Sequence, residues 1–183
     1  MADLYSALAE WQGFYEVLAG VAATFAGLLF IGLSLHLELL RRPEFARARS
    51  LARHAFSSYM FLALFSLTVL IPYHDWVWMS VAFLAAGGGA LAVTLMEIYR
   101  LRVWRKPSGV HLPRMRMIYF LSAFVYISVI GAAMLLPRGL TGALSSLVGP
   151  LLGHLAWTTL SAWDLLMELQ GGQPGMDEST PAA

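Results

Sequence analysis

Residues 14–40 read FYEVLAGVAATFAGLLFIGLSLHLELL, and this stretch decides the fold. From Val17 to Leu37 it runs 21 residues without a full charge. At about 1.5 Å per residue such a helix is roughly 31 Å long, close to the ~30 Å hydrocarbon thickness of a bilayer. Wound at about 100° per residue, Glu16, Gly20, Ala23, Gly27, Ser34 and Glu38 fall on one narrow face. Small residues on a membrane helix let another backbone come close. The sequence therefore predicts that this helix is the central packing element of a polytopic bundle, with Gly20, Ala23 and Gly27 at its contacts.

The rest of the composition agrees. Of 183 residues, 58% are hydrophobic and only 13% are charged, against about 25% charged in soluble domains. The solvent is lipid, and the expected class is an all-α bundle of about five transmembrane helices. These are placed at about 14–40, 55–72, 76–99, 115–137 and 140–169, in a single domain spanning 1–170. Residues 1–13 are expected to form an interfacial segment, with Leu4, Tyr5, Leu8 and Trp11 at helical spacing. That segment has no Lys or Arg and the following apolar run is too long for a signal core, so an uncleaved anchor is expected. The tail GGQPGMDESTPAA, 171–183, is acidic and has nothing to bury; it is expected to be disordered.

Pro43 and Pro72 lack the amide proton a helix interior needs and mark helix ends. The link Pro72-Tyr73-His74-Asp75 is so short that the third span must return beside the second. Gly87, Gly88 and Gly89 stand in the middle of that third span, where they predict a close helix crossing. Pro150 in the fifth span predicts a kink, because it leaves the carbonyl of Ser146 without its usual donor.

Orientation follows from where the basic residues sit. Arg41, Arg42, Arg47, Arg49 and Arg53 lie in one loop, 41–53. Arg100, Arg102, Arg105, Lys106, Arg114 and Arg116 lie in another, 100–116. Of the 12 Lys and Arg, only Arg138 is elsewhere. The positive-inside rule puts both loops and the C-terminus of a five-span chain in the cytoplasm, with the N-terminus outside.

Chemistry is harder to find. The chain has no cysteine, which excludes thiolate catalysis, thiolate metal sites and disulfides. It has no H-E-x-x-H, no G-x-S-x-G and no phosphate loop, so no catalytic, cofactor or metal role is expected. Nucleic-acid binding is not expected either, because no folded basic domain accompanies the arginines. The fifth span carries a polar stripe: His154, Trp157, Thr158, Ser161, Asp164 and Glu168 share one side of the helix. Charged groups in a bilayer are usually paired or face water, so the stripe reads as an ion or proton path. The plainer reading sets Asp164 and Glu168 at the cytoplasmic interface and makes His154 a hydrogen-bonded packing residue. His36 and His54 are placed near the cytoplasmic edge. Glu16 and Glu38 end the first span, and Glu38 is expected to pair with loop arginines. Glu97 is expected to pair with Arg100.

The first helix, with its AGxAAxxAGLLF pattern over 19–30, and the segment SAWDLLMEL over 161–169 resemble a family of small bacterial polytopic membrane proteins. A basic loop and a Pro-terminated second helix fit the same layout. Some members of that family carry the label modulator of the FtsH protease. In that pattern an asparagine often stands where His36 and Ser161 stand here. The resemblance implies a bacterial inner membrane and a membrane protease as partner, and it defines no catalytic or binding residues. Two function classes follow: a non-enzymatic accessory or regulatory protein, and a small homo-oligomeric channel or transporter.

Overall fold

The computed structural model describes residues 2–71, 75–103, 112–138, 140 and 142–171, and every element among them is helical. The tail beyond Gly171 and residues 104–111 of the second basic segment, Arg105 and Lys106 included, lie outside the described residues; Arg100 and Arg102 fall in the last turns of α4, and Arg114 and Arg116 in the first turns of α5. In chain order the helices are α1 (Ala2–Leu35), α2 (Leu37–Arg41), α3 (Ala46–Val69), α4 (Trp76–Val103), α5 (Leu112–Leu135), α6 (Gly142–Ser146) and α7 (Val148–Gly171). Short 3-10 turns occupy Pro43–Phe45 and Leu136–Arg138. Three stretches, Leu8–Leu35, Trp76–Tyr99 and Met117–Arg138, are long and apolar enough to cross a membrane. The other two long helices, α3 and α7, match them in length at 24 residues each. They are more polar: α3 carries Arg47, Arg49 and Arg53 and α7 carries Asp164 and Glu168, and both supply buried polar groups, His54, Ser58 and Ser66 on α3 and His154 and Thr158 on α7.

Local chemistry sets the helix ends. Asp75 starts α4, its Oδ1 accepting from the amides of Val77 at 2.9 Å and Trp78 at 3.0 Å, a capping arrangement that satisfies two otherwise orphaned donors. Arg42 is extended (φ −67°, ψ 142°), as a residue before proline prefers. The first span ends at Leu35, earlier than the hydropathy pattern implies. At His36 the backbone tightens, its amide meeting Leu33 O at 3.1 Å, and its imidazole Nδ1 lies 3.0 Å from Gly32 O. At its other end α1 runs unbroken from Ala2, so residues 2–13 continue the first helix. Its 34 residues give a rod of about 51 Å.

The fifth segment is interrupted where a kink was expected. The chain leaves α6 at Ser146 and restarts as α7 at Val148, with Leu147 between them. Pro150 thereby falls in the first turn of a helix. An amide there has no intrahelical acceptor, so proline removes nothing.

α3 occupies the centre: α1, α4 and α7 pack on it, while α4 also packs along α5 and α7 touches α5. The expectation that the first helix is central is thus corrected. α1 meets its neighbours through Tyr15, Leu18, Ala19, Ala22, Ala26 and Leu29, all buried. These lie roughly a third of a turn from the Gly20–Gly27 face. Gly20, Ala23, Gly27, Ser34, Glu16 and Glu38 are exposed, and a Cβ added at Gly20 or Gly27 meets nothing within 4 Å. The α1 glycine in close contact is Gly32, where a Cβ would lie 2.9 Å from Leu166 Cδ2 of α7.

Of the three consecutive glycines, Gly87 alone makes a tight crossing. A Cβ there would stand 3.1 Å from Tyr126 O and from Ile130 Cγ1, and 3.2 Å from Val129 Cγ1 of α5. Gly88 and Gly89 face open space.

Rings fill the end of the bundle nearest the α3–α4 connection. Tyr15 of α1 meets Phe65 of α3 at 6.3 Å between centroids, and Phe65 meets Phe83 of α4 at 4.8 Å. Phe61 of α3 meets Tyr126 of α5 edge-on at 4.6 Å. Tyr126 in turn stands 5.9 Å from the ring of His154 on α7. The five long helices are joined in this way by one connected set of aromatic contacts. Leu62, Met79, Leu136, Leu144, Leu147 and Leu151 close the spaces around it.

Candidate functional site: a buried polar layer

Below those rings, toward the end bearing α2, the helices present polar groups to one another. His54 of α3 is 4% exposed. Its Nε2 lies 2.9 Å from Ser122 Oγ of α5, and its Nδ1 lies 3.7 Å from Glu97 Oε2 of α4. Ser122 is fixed by donating its own proton to Ile118 O at 3.1 Å. The Tyr119 ring tilts over the imidazole at 4.6 Å. Ser58 of α3, Thr94 of α4 and Tyr126 of α5 are buried as well. Three helices thus meet around one imidazole and one carboxylate. Both Glu97 and Ser122 lie inside the stretches apolar enough to cross a membrane.

Sequence reasoning placed His54 at a wet edge and paired Glu97 with Arg100. The structure buries His54 and gives it to Glu97, whose side chain is only 14% exposed; the Arg100 side chain lies outside the described residues. The helical period gives the reason. His54, Ser58, Ala55 and Leu62 share the inward side of α3, whereas Arg53 is exposed. Adjacent positions on a helix are about 100° apart, so a charged neighbour says nothing about the depth of the next side chain.

The fifth-helix stripe is divided. His154 (1% exposed) and Thr158 turn inward, Ser161 is half-buried, and Asp164 is exposed; the Glu168 side chain lies outside the described residues. Inward-facing Leu151, Ala162 and Leu165 centre the buried side of α7 away from Asp164, so the stripe straddles its edge. His154 makes no hydrogen bond through either ring nitrogen, and neither does the indole nitrogen of Trp157. The same helix is held to α3 by Tyr59, whose hydroxyl donates to Thr159 Oγ1 at 3.0 Å, while Thr159 donates to Leu155 O at 2.8 Å.

Glu16, midway along α1, and Glu38, in α2, make no ion pair among the described residues. Glu16 accepts from Gln12 Nε2 at 2.7 Å, and Glu38 is exposed with no arginine partner among the described residues. Arg49 instead donates to Leu40 O at 3.2 Å. Among the described residues no three His, Asp or Glu side chains are grouped to hold a metal ion.

Comparison with known proteins finds no matching family model, no matching curated protein and no matching solved structure.

Proposed function

We infer that the protein is a non-enzymatic accessory or regulatory protein of the bacterial inner membrane, acting through side-to-side contact of its helices with another membrane protein. In this reading all five long helices cross the bilayer. The N-terminus lies outside, and the basic segments 41–53 and 100–116, which include the adjoining helix ends, and the C-terminus face the cytoplasm. The observation that carries it is the outward side of α1, where Gly20, Ala23 and Gly27 leave a shallow, unfilled surface. Its hydroxyls are already satisfied on their own helix: Thr24 Oγ1 donates to Gly20 O and Ser34 Oγ to Phe30 O, each at 2.8 Å. Covering this face therefore strands no donor, and close backbone approach gains dispersion contact. A membrane protease is the partner class that the sequence resemblance suggests.

Affinity capture from membranes tests the proposal. A stoichiometric membrane partner is expected with the wild-type chain and is expected to be lost with Gly27→Leu. Capture of the chain alone, or capture unchanged by Gly27→Leu, counts against it.

The buried titratable groups favour a second reading, a small homo-oligomeric ion or proton carrier. Since Asp164 is outward, His154 is the sharper probe. Reconstituted liposomes should show flux that falls with His154→Ala, and flux absent under every gradient would remove this reading.

A further inference from the structure

We propose that His54 and Glu97 form a proton-binding site: one exchangeable proton held between His54 Nδ1 and Glu97 Oε2 inside the helix bundle. Ser122 has a single hydroxyl proton, and it is given to Ile118 O at 3.1 Å. Toward His54 Nε2, 2.9 Å away, Ser122 Oγ can then only accept. Nε2 therefore carries a hydrogen.

A neutral imidazole has only one N–H, so Nδ1 would be left with a bare lone pair. That lone pair faces Glu97 Oε2 at 3.7 Å. Glu97 Oε2 is buried and has no hydrogen-bond partner among the described residues. Two electron-rich atoms set against each other in a low-dielectric interior repel. A second proton removes the conflict. On Nδ1 it makes an imidazolium–carboxylate pair; on Oε2 it makes a carboxylic acid donating to a neutral imidazole. In both states the ligand is the same single proton, and the pair changes charge by one unit when it leaves.

Among the described residues, the other titratable groups that face the pair come from α5 and α7. Tyr119 and Tyr126 approach from α5 and the His154 ring from α7, while Arg53, next to His54 in sequence, is exposed. None of these brings a fixed charge to replace the proton. His154 adds an unpartnered donor and acceptor near the same layer. The site does not depend on the accessory reading, nor on protons being carried through the protein.

The test is nitrogen NMR of the ¹⁵N-histidine-labelled full chain in lipid nanodiscs, titrated over the range in which carboxylates and imidazoles ionise, about pH 4 to 9. His54→Gln assigns the resonances. His54 is expected to keep a protonated Nε2 at every pH, with Nδ1 as the exchanging nitrogen. Glu97→Gln is expected to abolish that exchange, leaving a neutral imidazole with its hydrogen on Nε2 throughout. A wild-type His54 with a bare Nε2 would overturn the proposal without recourse to any variant, as would an Nδ1 that never titrates. An unchanged titration in Glu97→Gln would overturn it too. A normal titration in protein that passes no protons across liposomes would leave this site standing and remove only the carrier reading.

Discussion

Gly27 and Gly87 are both glycines inside long helices, and exchanging each for leucine separates packing from intrinsic helix preference. Glycine is about 1 kcal/mol less favourable than alanine in a helix interior and leucine is close to alanine, so both exchanges gain nearly the same amount on that account. The surroundings differ. At Gly27 an added Cβ meets nothing within 4 Å, whereas at Gly87 it already stands 3.1 Å from the Tyr126 carbonyl and from Ile130 Cγ1. Carbon contacts are optimal near 3.5–4.0 Å, and a leucine adds three more carbons in the same direction. Overfilling a packed site costs about 1–3 kcal/mol, and the rigid carbonyl puts Gly87→Leu in the upper half of that range. A chain of this size loses roughly 2–4 °C of Tm per kcal/mol, so Gly87→Leu should melt about 4–12 °C below Gly27→Leu. The assay is thermal unfolding in dilute detergent, followed by size-exclusion of the protein that remains in solution. Equal melting of the two variants would refute the reasoning, as would a larger loss at Gly27.

Two further outcomes are expected. Pro150→Ala should change stability by less than about 1 kcal/mol, because Pro150 lies in the first turn of α7; a gain near the ~3 kcal/mol of an interior proline would show that α6 and α7 are meant to be continuous. The chain lacks cysteine, so single cysteines report topology cleanly. Ile71→Cys should react with an impermeant maleimide from the periplasm and Arg42→Cys only after permeabilisation, and the reverse pattern would invert the proposed orientation.

The helices themselves were legible because lipid selects for long uncharged runs, and charge marks where such runs stop. Which side of each helix faces inward was not. In water the apolar side turns in, but α1 exposes Val17, Leu28, Phe30 and Ile31 as readily as it buries Leu18 and Leu29. Hydrocarbon surrounds the bundle as well as filling it, so hydrophobicity does not distinguish the two sides. The Gly20–Gly27 row looked like the seam for that reason, while the true close approach at Gly32 depends on Leu166, far along the chain. The His54–Glu97 contact was hidden similarly: its members stand on different helices, each beside an arginine that suggested a watery edge. His154 stands out in the sequence because an ionisable group within an apolar run is visible in one dimension, and the bundle buries it.

The uneven polarity of the long helices bears on how the chain is made. α3 and α7 are the two that fall short of the apolar character of a self-inserting segment. Each is tethered through a short connection to a greasy neighbour, α3 to α4 and α7 to α5 by way of α6. A reluctant segment joined to a willing one can enter the bilayer with it as a hairpin, shielding its histidines against the partner during transit. Biogenesis would then proceed as one anchor followed by two paired insertions, and lengthening either tether should hurt assembly before it affects the finished fold.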